Sequence, residues 1–339
     1  MLTDLIKNNL EIEAIILLKS QHFDLNYQDK LKKTLLMYAC EYKMHTLIDA
    51  LLEPCNKLNI NLLDSQDQTA LYYACYNQDV KSINKLIMAG IDIDSLNKNL
   101  LSVLNFSASH NLNISVSALL KHSLDLNHPD ISRKSPLIWA CKLNDTNMAT
   151  SLLEAGADPN KIDENGKSCL CYASDNNNNS MIDALDKFGA NINLPNEIGK
   201  TVLHYVAQFN KLYVVANLIK KGADINLLDE IGKTPLMHAC EQAHMELAKI
   251  LIFNKAKFSF SNPYQIRGFI AVADNMEFFQ FLLSNTHENN NLLKYKKILD
   301  NQSRDYSKHI SLIGATILNQ KLSKKLFKQG HLEDKKSKI

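Results

Sequence analysis

The 339-residue sequence has no uninterrupted apolar run close to the roughly 18 residues that a membrane-spanning helix requires. Its first twenty residues carry acidic side chains inside their apolar stretch and no small-residue cleavage site, which is untypical of a secretory signal peptide. Without such a signal, the seven cysteines are expected to be reduced thiols rather than disulfides. These absences favour a cytoplasmic protein.

The sequence also lacks the short motifs of common binding and catalytic sites. Residues 199–201 and 232–234 both read Gly-Lys-Thr, but neither has the upstream glycine of a phosphate-binding loop. Cys169 and Cys171 have no second cysteine pair at zinc-finger spacing, and the histidines show no metal-ligand spacing. No triad or paired-carboxylate arrangement stands out. We therefore expect no catalytic residue, no cofactor and no metal ion.

What the sequence does contain is a repeat of 33 residues. A Thr or Ser recurs at a spacing of 35 residues once and 33 residues five times, at Thr34, Thr69, Ser102, Ser135, Ser168, Thr201 and Thr234. Between these markers the apolar residues have helical spacing, and four glycines follow their Thr or Ser by 21 residues: Gly90, Gly156, Gly189 and Gly222. Each unit is predicted to be a turn, a short helix, a second helix and a loop.

This pattern resembles the ankyrin repeat, whose phrases are D-x-x-G-x-T-P-L-H-x-A and L-L-x-x-G-A-D-V-N. DEIGKTPLMHA at 229–239 matches the first phrase, and GADPN, GANIN and GADIN match the end of the second. The resemblance implies an all-α solenoid of helix–turn–helix units with short hairpin-like turns. The expected boundaries are an N-terminal capping half-repeat at 1–28, seven repeats at 29–261, a degenerate C-terminal repeat at 262–284, and a basic helical segment with a disordered tail at 285–339.

Two residue columns that look chemical are interpreted as parts of this repeat. Cysteines lie six residues after the Thr or Ser, where a small apolar residue packs: Cys40, Cys75, Cys141 and Cys240. Four residues after it stands an aromatic residue or histidine: Tyr38, Tyr73, Phe106, Trp139, Tyr172, Tyr205 and His238. This second column is either inter-repeat packing or a partly exposed aromatic floor of a groove. His204 occupies the family's own histidine position, where the resemblance implies a hydrogen bond between neighbouring turns.

The resemblance also implies that partners bind on a concave face of turn tips and first-helix ends. Candidate partner-binding residues on this face are Tyr42, Tyr76, His110, Leu143, Ile198, Lys200, Phe209, Ile231, Lys233 and Gln242. Ile198, Phe209 and Ile231 are apolar where a solvated position favours polar residues, which indicates an interaction patch. The sequence therefore predicts a monomeric, non-catalytic scaffold that binds a partner protein of unknown identity and no nucleic acid.

The charge distribution adds a second hypothesis. The formal charge is +2, but residues 285–339 hold twelve Lys/Arg and five Asp/Glu, a balance of +7. Apolar residues at helical spacing precede four lysines within 310–328, which is typical of a basic amphipathic helix at an anionic membrane surface. The competing interpretation is a capping helix followed by a disordered tail. An ankyrin array with little else attached is also similar to ankyrin proteins that intracellular bacteria deliver into host cells, although many eukaryotic ankyrin proteins have the same form. The alternative is therefore a secreted effector in a host cytosol, whose basic C-terminal segment contacts anionic membrane or another acidic partner.

Overall fold

The computed structural model describes residues 2–20, 23–54, 56–257 and 280–281. These residues form short α-helices and no β-strand, with isolated β-bridges joining Leu96 to Ser102 and Ile162 to Ser168. The all-α prediction is therefore confirmed. The chain folds into two compact units, Met1–Asn191 and Ile192–Ile339, which we call unit 1 and unit 2.

Successive helix pairs make up both units. In unit 1 the helices are α1 (Leu2–Lys7), α2 (Glu11–Ser20), α3 (Leu35–Glu41), α4 (His45–Leu51), α5 (Ala70–Tyr76), α6 (Val80–Met88), α7 (Val103–Ser109), α8 (Asn113–Leu119), α9 (Pro136–Lys142), α10 (Thr146–Glu154), α11 (Cys169–Asp175) and α12 (Asn179–Lys187). In unit 2 they are α13 (Val202–Gln208), α14 (Leu212–Lys220), α15 (Pro235–Glu241) and α16 (Met245–Phe253). The predicted limits at 262, 284 and 285 concern a region of which only Gln280 and Phe281 are described, so they stay predictions.

The repeated Thr or Ser starts the first helix of each pair from α3 onwards. It has extended backbone and stands immediately before the helix, and in five of these helices its side-chain oxygen accepts a backbone N–H of the first turn: Thr34, Ser102, Ser135, Ser168 and Thr234. Each such helix has only seven residues, too few to be stable in isolation. Packing must supply the rest, and Cys40, Cys75, Cys141 and Cys240 are buried in it, as predicted.

In six of the seven turns described, one Asp or Asn side chain fixes the turn to the helix that follows it. In the turn before α3, Asp29 Oδ1 accepts the backbone N–H groups of Leu31 and Lys33 at 2.8 and 2.9 Å. Its Oδ2 accepts the hydroxyl of Tyr38 at 2.6 Å. The same nine-residue pairing joins Asp64 to Tyr73, Asp130 to Trp139, Asp163 to Tyr172, Asn196 to Tyr205 and Asp229 to His238. The aromatic column is therefore first of all a hydrogen-bonding column, an interpretation that the sequence analysis did not reach.

The turn tips need left-handed backbone, which glycine supplies most easily. Gly166, Gly199 and Gly232 have φ values of +69°, +71° and +75°. Gly199 is further restricted, because a Cβ there would lie 2.8 Å from the backbone nitrogen of Glu230 in the next turn. Two such neighbouring turns pack too closely to admit a side chain.

A second row of hydrogen bonds joins the loops. The Asn or Asp at the end of one loop accepts a backbone N–H of the next loop, 31 residues further along the chain. In unit 1, Asn127 Oδ1 accepts the N–H of Asp158 at 2.8 Å, and in unit 2, Asn193 Oδ1 accepts that of Asp224 at 2.8 Å. The last residue of the Gly-Ala-Asp-x-Asn phrase is thus the acceptor that ties each loop to its successor.

The turn–helix bond gives a first prediction. Tyr38→Phe removes the hydroxyl donated to Asp29 and leaves the carboxylate oxygen short of a donor in a half-buried site. Because hydrogen bonds to charged groups contribute about 1.5–3 kcal/mol, the free energy of unfolding of unit 1 should fall by that amount in urea titrations. Tyr76→Phe makes the same chemical change at an exposed tyrosine whose hydroxyl has no hydrogen bond within the described residues, so it should be neutral. Equal effects of the two substitutions would contradict the assignment.

Candidate protein-interaction face

Unit 2 exposes apolar side chains on the face formed by its turns and by the ends of its first helices, which we call the turn face. Ile198 and Ile231, at neighbouring turn tips, are 50% and 49% exposed, and Phe209, the C-cap of α13, is 51% exposed. All three apolar side chains are therefore exposed, and their role as an interaction patch stays a prediction. Exposed apolar residues grouped in this way mark interaction surfaces.

These side chains stand on a fixed framework. The carbonyl oxygen of Ile198 accepts the backbone N–H of Glu230 at 3.2 Å, which joins the two turns. The ring of Phe209 stacks on that of Tyr205, with centroids 6.4 Å apart and planes 10° apart. Tyr205 is held in turn, because its hydroxyl oxygen accepts the Nδ2–H of Asn196 at 2.9 Å. A partner would meet a surface that has little side-chain entropy left to lose.

The polar candidates of unit 2 are two lysines that are bonded within their own repeat and one exposed glutamine. Lys200 Nζ donates to Gln208 Oε1 at 2.9 Å, and Lys233 Nζ lies 2.7 Å from Glu241 Oε2. Both lysines are thus engaged in bonds within their own repeat. Gln242, the C-cap of α15, is exposed.

The other four candidates lie in unit 1. Tyr42, His110 and Leu143 are the C-caps of α3, α7 and α9, whereas Tyr76 is the last residue of α5. The His110 ring lies 4.3 Å from that of Phe106, and Tyr76 lies 6.4 Å from the same ring. Two of the predicted binding residues, Tyr76 and His110, therefore lie close to the buried ring of Phe106. The sequence did not indicate this arrangement.

The sequence analysis missed a pattern of lysine, aromatic ring and acid on the same face. Lys33 Nζ lies 2.9 Å from Glu41 Oε2 and 4.4 Å from the centroid of the Tyr73 ring. Lys167 pairs with Asp175 at 2.7 Å and lies 5.3 Å from the Tyr172 centroid. In both cases the acid follows the lysine by eight residues, a spacing that the sequence contains and that could have been recognised.

His204 and His238 of unit 2 hold the fold together through hydrogen bonds. The Nδ1 of His204 accepts the Thr201 backbone N–H at 3.1 Å, so that nitrogen carries no proton and Nε2–H donates to the Lys233 carbonyl oxygen at 3.1 Å. The predicted bond between neighbouring turns is confirmed. Burial lowers the pKa of His204 to about 4. His238 Nε2 lies 2.8 Å from Asp229 Oδ2, where other repeats place a tyrosine hydroxyl, and burial lowers its pKa as well.

The cysteines that the structure describes are buried in the core of the protein. Burial raises the pKa of Cys75 and of Cys240 to about 12, so neither thiol is a nucleophile at neutral pH. Within the described residues no three His, Cys, Asp or Glu side chains are grouped to hold a metal ion. None of the helices described is long and apolar enough to cross a membrane. The segment 310–328 lies outside the described residues.

Comparisons with known proteins place this geometry in a family. The family model for ankyrin repeats (three copies) matches residues 2–97, 81–163, 170–262 and 203–293. Inversin from dog is 29% identical and inversin from human 28% identical over 124 residues, which are 36% of this chain. The alignments span only 11% and 12% of those two proteins. The crystal structure of the ankyrin repeat domain of Bcl-3, described as a unique member of the IκB protein family, superposes with a TM-score of 0.58 at 26% identity, covering 65% of this chain and 98% of that one.

The buried His204 makes the stability of unit 2 depend on pH. Since its pKa is about 4 in the folded protein and 6.5 ordinarily, the unfolded chain binds an extra proton between these values. The contribution of His204 to the free energy of unfolding is therefore fully present above pH 6.5, and roughly 3 kcal/mol of it is lost as the pH falls toward 4. His204→Asn should flatten this dependence, because Asn105 makes the equivalent bonds in unit 1, to the carbonyls of His128 and Lys134.

Urea unfolding of wild type and His204→Asn at pH 7, 5.5 and 4.5 tests this. Both proteins contain the same carboxylates, so the effect of their titration cancels when the two free energies of unfolding are subtracted at each pH. An unchanged pH dependence in the variant would show that His204 is not the titrating group.

Proposed function

Because the chain belongs to the ankyrin-repeat family, we propose that it is a non-catalytic interaction module whose unit 2 binds a protein partner through its turn face. Repeats of this kind serve in general as protein–protein interaction modules. The single observation that carries the assignment to unit 2 is the exposed patch of Ile198, Phe209 and Ile231. A cytoplasmic location of the chain is part of the same proposal.

The patch suits an apolar segment of a partner. Phe209 is a rigid aromatic that already stacks on Tyr205, so it can enter a partner's pocket with little loss of entropy. Lys200 and Lys233 are occupied by Gln208 and Glu241, so they serve as rim residues rather than as binding charges. The sequence already singled out Ile198, Phe209 and Ile231 as the interaction patch, and the bonds of Lys200 and Lys233 add the reason to rank these two lysines lower.

Phe209→Ala combined with Ile231→Ser tests the patch. Loss of a central aromatic anchor costs at least about 2 kcal/mol, roughly thirtyfold in affinity, so the double variant should lose capture of the partner from native lysate. Its thermal unfolding should be unchanged, since both side chains are half-exposed. The matched control is Met88→Ala with Ile114→Ser, which removes exposed apolar residues from the second helices α6 and α8. Capture by the patch variant at wild-type level would refute the proposal.

A second candidate function concerns residues 285–339. Their balance of +7 and the apolar spacing within 310–328 favour contact with an anionic surface, as in an effector that acts at a host membrane. This proposal has the sequence as its only support.

Replacing Lys321, Lys324, Lys325 and Lys328 by Gln in the full chain tests this second candidate. Wild type should sediment with vesicles of phosphatidylserine and phosphatidylcholine at low salt and be released at high salt. The quadruple variant should stay in the supernatant throughout. Sedimentation of neither protein would count against the membrane function while leaving the fold unaffected.

A further inference from the structure

In both units, the lysines that stand before the first helices follow a pairing pattern with two departures. Lysines placed immediately before the helix-starting Thr or Ser are paired with an acid eight residues later: Lys33 with Glu41, Lys167 with Asp175 and Lys233 with Glu241, at 2.9, 2.7 and 2.7 Å. Lys200 meets a neutral Gln208 in the same geometry, at 2.9 Å. In the repeat that starts at Ser135, the two positions are Lys134 and Lys142, so both are cationic.

The two lysines share one aromatic ring instead of an acid. Lys142 Nζ lies 4.5 Å and Lys134 Nζ 5.7 Å from the centroid of Trp139. The ring is held in place, because its Nε1–H donates to Asp130 Oδ2 at 2.9 Å. Cation–π contacts offset part of the repulsion, but they do not neutralise either charge.

Acidic residues of the neighbouring repeats neutralise the charges of these two lysines only weakly. Lys134 is only 6% exposed, and its Nζ lies 3.9 Å from Glu164, farther than in any of the three pairs above. Lys142 is exposed and forms no ion pair with any carboxylate that the structure describes. The preceding repeat has Leu101 and Ser109 at the equivalent positions and supplies no acid. A buried ammonium group is unfavourable unless an anion approaches it, and Lys134 has only this long contact to Glu164.

Two exposed apolar residues lie next in sequence to residues of this positive site. Leu143, the C-cap of α9, follows Lys142, and Ile131, which follows Asp130 in the turn, is 74% exposed. A free inorganic anion would gain nothing from these two residues. A peptide with an acidic side chain next to apolar ones would use all of them.

We propose that the Trp139 site in unit 1 binds an Asp or Glu residue within an apolar segment of a protein partner. The partner's carboxylate takes the place that Glu41, Asp175 and Glu241 hold in their own repeats. The proposal rests on the proposed function as an interaction module, but it concerns a different unit and adds the chemistry of the partner. Trp139 belongs to the aromatic column for which the sequence left a groove-floor role open, whereas the pairing of Lys134 and Lys142 on its ring was not predicted.

Lys142→Glu is the decisive variant. It supplies a carboxylate at the place where the other repeats have one, so Lys134 is neutralised from within and the fold is not harmed. Lys81→Glu, on the exposed side of α6, changes the net charge equally and is the control. Trp139 is the only tryptophan of the chain, so its fluorescence reports directly on occupancy of the site.

The probe is a random dodecapeptide phage library selected on the full chain, on Lys142→Glu and on Lys81→Glu. Peptides recovered on wild type and on Lys81→Glu should carry Asp or Glu beside apolar residues. Synthesised and titrated against Trp139 emission, they should bind Lys142→Glu at least about tenfold more weakly. Their Asp→Asn or Glu→Gln versions should lose affinity for wild type to a similar extent.

Several outcomes would overturn the proposal: no recovered peptide, no enrichment of acidic residues, or equal affinity for Lys142→Glu. Saturable quenching of Trp139 by inorganic phosphate alone, with no recovered peptide, would make it a small-anion site instead. Peptides whose binding depends on Phe209 and Ile231 but not on Lys142 belong to unit 2. The two proposals can therefore fail separately.

Discussion

One Asp or Asn side chain per turn, an aspartate in five of the seven turns described, provides the interaction on which the rest of this protein depends. An aspartate such as Asp29 or Asp163 closes its turn with one oxygen and anchors the following helix through a side chain nine residues later with the other. A seven-residue helix has too few internal hydrogen bonds to persist alone, so its position must be imposed from outside. The carboxylate imposes it, and the apolar side chains of the helix then meet their neighbours in register.

Since a few side chains hold the turn and the helix, other positions of the repeat can vary in sequence. Because the turn is held by an Asp or Asn side chain and by backbone groups, the side chain of the tip residue is free to vary: Leu31, Asn99, Ser132 and Ile198 stand there. The lysine that precedes the helix is similarly free to find an acid, an amide or an aromatic ring. The proposed function places partner binding on residues that the fold does not constrain, so a departure from the internal pattern, as at Lys142, is informative.

The sequence predicted the fold well because the fold is periodic. Seven helix starts, four helix-ending glycines and the cysteine column all follow from one spacing, and each is seen in the structure. The hydrogen-bonding role of the aromatic column was not predicted. A search for buried apolar residues treats an aromatic ring as apolar, and it does not show that the polar atom of the ring reaches a residue nine positions earlier. The candidate site was predicted in outline only. Exposure of Phe209 follows from its column, but the engagement of Lys200 and Lys233 depends on side-chain geometry that periodicity does not specify.

The loop hydrogen bonds, each spanning about 31 residues, also bear on how the chain acquires its structure. An acceptor such as Asn127 needs only the next loop to be present, and no distant strand has to be found first. Rates of folding fall as contacting residues become more distant in sequence, so contacts of such uniform and modest range favour rapid folding. A growing polypeptide could add one helix pair for every 33 residues synthesised, with each finished pair serving as the template for the next.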